Sequence, residues 1–173
     1  DGKKHIHDKY RKYKNGKGSH EEVEKTAKML LDNEVAVNAL SAVNDYSVQY
    51  PEETFQYLTS LGFEYLQFIP ILEMKEDGST LEDYAVSPEE YGEFLIKVFN
   101  QWLNDLGDIY VQIFEEALSA WVGFGANLCV FSEKCGRAPV MEANGDVYAC
   151  DHFVDPKYKL GNINQKDILE MMR

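Results

Sequence analysis

Three cysteines, Cys129, Cys135 and Cys150, fall within one short stretch, and the last is followed directly by Asp151 and His152. Five residues separate the first two and fourteen separate the second from the third. Between Cys135 and Cys150 runs Pro139-Val140-Met141-Glu142-Ala143-Asn144-Gly145-Asp146-Val147-Tyr148-Ala149. Asn-Gly is a strong hairpin signal, because a type I′ turn needs positive φ at both central residues. A hairpin here folds Cys150 back toward Cys135, so that three thiols converge. Thiolate sulfur binds zinc and iron–sulfur clusters, and such sites usually take four ligands. Zinc completed by His152 is one alternative; three cysteines packed as small hydrophobes are another. The odd count and the lack of a signal peptide argue against a disulfide framework.

The elements that must carry these residues are legible in order. Residues 1–18 are basic and glycine-containing and read as a loop with a helical turn. Ser19 with Glu22 forms a capping box for a helix whose apolar stripe is Val23, Ala27, Leu30 and Leu31. Val35 to Val43 reads as a strand buried on both faces, with Asn38 inside it in need of partners. A helix opens at Pro51 with Phe55, Leu58 and Leu61 inward and ends at Gly62, and a second strand follows from Glu64 to Ile71. One short link between strand, helix and strand implies parallel pairing. Met74 to Val86 is a charged loop. Ser87-Pro88-Glu89-Glu90 starts a further helix, with Pro at its first position. Its inner stripe is Tyr91, Phe94, Leu95, Val98, Phe99 and Trp102. Ile109 to Phe114 reads as a third strand and Glu115 to Val122 as a helix. This α/β order matches the later part of a (β/α) barrel, whose functional groups lie beyond the C-terminal strand ends. Asn44, Pro70 to Glu73 and Phe114 to Glu116 then share one face.

Composition narrows the function classes. The net charge of −13 argues against a nucleic-acid partner, which calls for a basic surface. The basic cluster from Lys3 to Lys17 reads as a solvated loop. No run of eighteen apolar residues implies a membrane span. Three unpaired thiols suit a reducing, cytoplasmic setting.

The run Cys129-x5-Cys135-x14-Cys150-Asp151, followed by Lys159-Leu160-Gly161-Asn162-Ile163, resembles the start of a SPASM auxiliary-cluster domain of radical S-adenosylmethionine enzymes. The resemblance is strongest to the anaerobic sulfatase-maturating enzymes. It extends back through Tyr65-Leu66-Gln67-Phe68-Ile69-Pro70, Asn38 to Asn44, Ile6-His7-Asp8 and Asp1-Gly2. It implies the C-terminal part of a partial (β/α)6 barrel at 1–122 and the first part of a SPASM domain at 123–173. The family's CxxxCxxC motif, which binds the radical-generating cluster, does not occur here, and neither do its later cysteines. The chain therefore reads as an internal fragment, inactive on its own.

In the intact enzyme the resemblance implies [4Fe–4S] clusters and S-adenosylmethionine. The reaction it implies is oxidation of a Cys or Ser in an unfolded sulfatase polypeptide to Cα-formylglycine, with flavodoxin or ferredoxin as reductant. Cys129, Cys135 and Cys150 would be auxiliary-cluster ligands, with a fourth from outside the chain. Asp151 would be the base that takes the substrate thiol or hydroxyl proton. A carboxylate beside anionic thiolates should resist ionisation, which raises its pKa toward that task. Gln67, Pro70 and Leu72 would border the adenosine, and Arg11 would approach the cofactor carboxylate. Two other readings are a SPASM enzyme acting on a different peptide and a non-catalytic zinc module that binds peptide.

Overall fold

The computed structural model describes residues 1–75, 77, 79–133 and 138–172. Two compact units divide between Leu118 and Ser119. The first is built on a parallel sheet in the order β1 (Asn38–Val43), β2 (Tyr65–Pro70), β3 (Tyr110–Val111). The register pairs Asn38 with Tyr65, Leu40 with Gln67 and Val43 with Pro70, and on the other side Tyr65 with Tyr110. Helices α1 (Lys4–Tyr10) and α2 (His20–Asp32) precede the sheet, α3 (Pro51–Ser60) links β1 to β2, and α4 (Pro88–Trp102) links β2 to β3. The parallel pairing expected from the strand–helix–strand order is present.

Side chains alternate across a strand, so Ala39, Val43, Leu66, Phe68 and Val111 share one face. That face is buried with Phe55, Leu58, Phe94, Val98 and Trp102. Each large apolar side chain so covered contributes roughly 1.5–3 kcal/mol. Helix α4 follows its sequence signals closely. Ser87 Oγ accepts from Glu90 N–H at 3.2 Å, Glu90 reaches back to Ser87 N–H at 3.3 Å, and Pro88 opens the helix. Tyr91 Oη donates to the Phe68 carbonyl at 2.8 Å and Trp102 Nε1 to the Ile109 carbonyl at 2.7 Å, fastening α4 to β2 and to the turn before β3.

Several local expectations change. The opening segment is a two-turn helix, α1, with Ile6 and His7 buried. Ser19 does not cap α2 with its side chain. Its hydroxyl instead donates to the Arg11 carbonyl at 2.9 Å, and Asp8 Oδ1 accepts from His20 N–H at 2.9 Å. The Asp8 carboxylate lies so close to Gly18 that a Cβ there would sit 2.0 Å from it. Strand β1 starts only at Asn38, and its second face is open at Asn38 and Leu40. Asn38 is exposed, and so needs no buried partner. The third strand shortens to two residues because α5 (Gln112–Trp121) begins at once after Val111.

The second unit, Ser119–Arg173, centres on an antiparallel sheet of β4 (Val140–Met141), β5 (Asp146–Tyr148) and β6 (Lys159–Asn162). The hairpin forms where Asn144-Gly145 is placed, but its turn differs. Only Gly145 has positive φ, at 88°. Glu142 N–H donates to Asp146 O and Gly145 N–H to Glu142 O, both at 2.9 Å. This is the three-residue loop with a left-handed glycine at its end. Asn144 serves it through its side chain, Oδ1 accepting from Asp146 N–H at 2.9 Å. Strand β6, over Lys159–Asn162, adds a third strand to the hairpin. A short helix, α6 (Ile168–Met171), follows and buries Met171.

Candidate functional site

Strand β5 delivers Ala149 and Cys150 to the end of the small sheet, where one 3₁₀ turn, Asp151–Phe153, begins. Cys150 is 8% exposed. Its sulfur accepts from His152 N–H at 3.4 Å and donates to Asp151 Oδ1 at 3.2 Å. His152 Nδ1 lies 3.1 Å from the same carboxylate oxygen and 3.5 Å from the sulfur. One ligand atom from each of these three residues therefore falls within 4.8 Å of the others. Asp151 and His152 are open to solvent while the thiol is covered.

The Asp151 carboxyl is held below its ordinary range, first by the hydrogen bond from the Cys150 thiol and further by the His152 ring. The expected upward shift rested on an anionic sulfur. A thiol that donates has the opposite effect, because it stabilises the charged carboxylate. Cys129 is exposed in a second 3₁₀ turn, Cys129–Phe131. Cys135 lies outside the described residues.

In the first unit the C-terminal ends of β1 and β2 border a cavity of about 230 Å³ lined in part by Asp1, Tyr10, Arg11, Asn44, Glu73 and Tyr84. Arg11 Nε donates to Asp1 Oδ2 at 2.7 Å, and Asp1 Oδ1 accepts from Ala42 N–H at 3.0 Å. Asn44 turns the chain, its Oδ1 accepting from Tyr46 and Ser47 N–H at 3.0 and 2.9 Å. Pro70 closes β2 opposite Val43, and Leu72 stands half exposed just beyond it. Gln67 is not with them: it lines a separate cavity on the open sheet face.

Sequence reasoning missed Tyr10 and Tyr84 at the strand-end cavity. Tyr10 Oη donates to Asp45 at 2.8 Å and Tyr84 Oη to Glu73 at 2.6 Å. These bonds cross 35 and 11 residues of chain, and no spacing rule announces them.

Residues 134–173 match the SPASM family model, an iron–sulfur cluster-binding domain; the match takes in Cys135 and Cys150 and begins after Cys129. The chain is 40% identical to the serine-type anaerobic sulfatase-maturating enzyme of Bacteroides thetaiotaomicron, over 99% of this chain and 45% of that protein. It is 33% identical to the cysteine-type enzyme of Clostridium novyi, over 99% of this chain and 46% of the relative. The solved structure described as native anSMEcpe with bound AdoMet superposes over all of this chain and 48% of its own, with a TM-score of 0.85 at 28% identity. The form described as carrying AdoMet and the Kp18Cys peptide gives 0.77 at 27% identity, over all of this chain and 49% of its own. The chain thus spans about half the length of the curated relatives it matches. From end to end it is a relative of the anaerobic sulfatase-maturating enzymes, with a SPASM-type cluster-binding segment at its C-terminal end.

Proposed function

We propose that the protein containing this chain is a radical S-adenosylmethionine enzyme that oxidises a Cys or Ser of an unfolded sulfatase polypeptide to Cα-formylglycine. The observation that carries this is similarity to both serine- and cysteine-type maturases over 99% of the chain. The first unit is read as the later part of a partial (β/α)6 barrel, with 1–122 as barrel and 123–173 as the start of the SPASM domain. The parallel order β1-β2-β3 with connecting helices supports this. So does the open face of the sheet, since parallel sheets are normally covered on both faces.

The surroundings of Cys150 support an iron–sulfur cluster. The Cys150 sulfur is buried and receives a backbone N–H from His152, and such bonds to sulfur tune clusters of this kind. Cys129, Cys135 and Cys150 would hold the auxiliary cluster. When bound, the clusters and S-adenosylmethionine supply the electron transfer and the hydrogen-atom removal at the substrate Cβ. The chain's own residues position and deprotonate. Asp151, adjoining a cluster ligand and open to solvent, takes the proton from the substrate thiol or hydroxyl. Arg11 at the strand-end cavity would pair with the carboxylate of the cofactor's methionine. Gln67 and Pro70 of β2, and Leu72 just beyond it, would border its adenosine. A low-potential flavodoxin or ferredoxin would deliver the electrons. The test is to incubate the full-length protein anaerobically with S-adenosylmethionine, a reductant and a sulfatase peptide. Mass spectrometry should find formylglycine. A cluster-replete protein that consumes S-adenosylmethionine and leaves both Cys and Ser peptides unmodified overturns the reading.

A further inference from the structure

Charge is unevenly spread along this chain. Residues 1–18 hold seven of its 17 Lys and Arg and only two of its 30 Asp and Glu. Their net charge is +5, against −18 for the remainder. The fold gathers that positive charge on α1 and on a tight hairpin that follows it. Lys12 and Gly18 bridge antiparallel, and Tyr13 N–H donates to Lys17 O at 2.9 Å. Gly16, with φ at 83°, turns the tip while its N–H donates to Tyr13 O at 2.8 Å. The base is pinned, Ser19 N–H donating to Arg11 O at 3.1 Å and Tyr13 Oη to Glu22 at 2.5 Å. Lys3 and Lys4 are taken up by Glu53 and Glu21. Lys9, Lys12, Lys14 and Lys17 are exposed, and among the described residues no carboxylate pairs with them. Tyr10 and Tyr13 stand 45% and 44% exposed between them.

We infer that the hairpin 12–18, with Lys9 and Tyr10, is the docking surface for an acidic electron-carrier protein; the inference rests on the proposed radical chemistry, which needs such a reductant. Like charges held together without a counter-charge favour an acidic partner surface. Transient electron-transfer complexes are small, below about 1,200 Å², and opposed charges speed their formation more than they tighten it. The hairpin matches that kind of contact, since it presents lysines and a tyrosine and no aliphatic side chain. Its place next to the cavity that Tyr10 and Arg11 line would bring a docked carrier to the strand ends. The acidic remainder of the chain helps to orient the carrier toward this segment. A long polyanion such as nucleic acid would run off the patch onto that acidic remainder and be repelled. A compact acidic face meets the lysines alone.

The test uses the full-length protein and a fluorescently labelled, oxidised flavodoxin of acidic net charge. Anisotropy reads binding without turnover. Binding should weaken steeply as salt is raised, because exposed charges are screened. Lys14→Glu with Lys17→Glu should weaken it at least about tenfold at low salt, since like charges then face each other. Lys14→Gln with Lys17→Gln should fall between. Lys97→Glu with Lys166→Glu makes the same change in net charge at exposed positions elsewhere. That pair should alter affinity by less than about threefold, the share left to the field of the whole protein. Circular dichroism checks that each variant is folded; should the Glu pair unfold, the Gln pair carries the comparison. Unchanged affinity in the hairpin variants overturns the inference, as does an equal loss in the Lys97 and Lys166 pair. Tighter hairpin-dependent binding of a labelled single-stranded RNA also overturns it, by making nucleic acid the partner. Formylglycine formation driven by dithionite, which needs no docking surface, is assayed separately on the unaltered protein. Its absence alongside hairpin-dependent flavodoxin binding defeats the maturase reading and leaves the docking surface standing.

Discussion

The Cys150 thiol and the Asp151 carboxylate are joined across 3.2 Å, sulfur donating to Oδ1. Adjacent residues on a 3₁₀ turn thereby set a buried sulfur against an exposed oxygen. With the thiol protonated, the carboxylate is stabilised. Were the same sulfur ionised and bound to iron, as proposed, it would have no proton to donate. The electrostatic character of Asp151 would then depend on what its neighbour holds.

Replacing Asp151 by Asn in the full-length protein tests its proposed role as base. The amide is nearly isosteric and leaves the sulfur untouched, so iron content should be unchanged. S-adenosylmethionine cleavage should persist, while formylglycine formation falls by about 10²–10⁴-fold, the usual worth of a general base. Iron, 5′-deoxyadenosine and formylglycine are measured on one preparation. Parallel loss of iron and product would mark Asp151 as a turn residue instead.

Alanine at Cys129, Cys135 or Cys150 should each lower the iron and sulfide content of anaerobically reconstituted full-length protein and weaken its visible absorption. Cys150→Ala should act most strongly, since its sulfur is the covered one with a backbone N–H already directed at it. Full iron and sulfide in all three variants would remove these residues from the cluster.

Phe94 tests the packing of α4 on the sheet. It is 2% exposed and meets Phe68 edge-on at 5.4 Å between ring centroids. Phe94→Ala should cost about 3–5 kcal/mol, the range for truncating a buried aromatic. Ile96→Ala on the outer side of the same helix, 55% exposed, should stay within about 0.5 kcal/mol. Urea unfolding followed by circular dichroism separates the two.

His7 makes stability fall with acid. It is buried, and its Nε2 lies 2.9 Å from Ser19 Oγ, whose own proton goes to the Arg11 carbonyl. His7 therefore donates from Nε2. Burial, aided by the positive N-terminal amine and then by the ring of His20 and by Arg11, outweighs Asp8 and lowers its pKa from 6.5 to about 4. As pH drops below 6.5 the unfolded chain binds the proton first. The stability present above that value is lost as pH falls through 4, on the order of 2–3 kcal/mol for a shift of this size. Urea midpoints between these limits should decline less steeply in His7→Gln than in the unaltered protein. Parallel declines would show that His7 carries no share of the acid sensitivity.

Local chemistry made much of this protein legible in its sequence. Ser87-Pro88-Glu89-Glu90 starts α4 because its capping groups and their partners lie within one turn of chain. The short strand–helix–strand link announces the parallel pairing of β1 and β2, and the Cys-Asp-His run marks a candidate site because its three donors are consecutive. The tertiary structure decided whatever depends on a distant partner. Asp8, not Ser19, meets the first N–H of α2, because the chain turns between α1 and α2, closed by the Lys12–Gly18 bridge, and brings its carboxylate there. Arg11 is drawn to Asp1, and Gln67, which pairs with Leu40, lies on the same sheet face as Ala42 and Ile71 of the strand-end cavity but farther back along β2. The open face at Asn38, Leu40 and Tyr65 has the same origin. Periodicity tells which residues share a face, but only the placement of helices tells which face is covered.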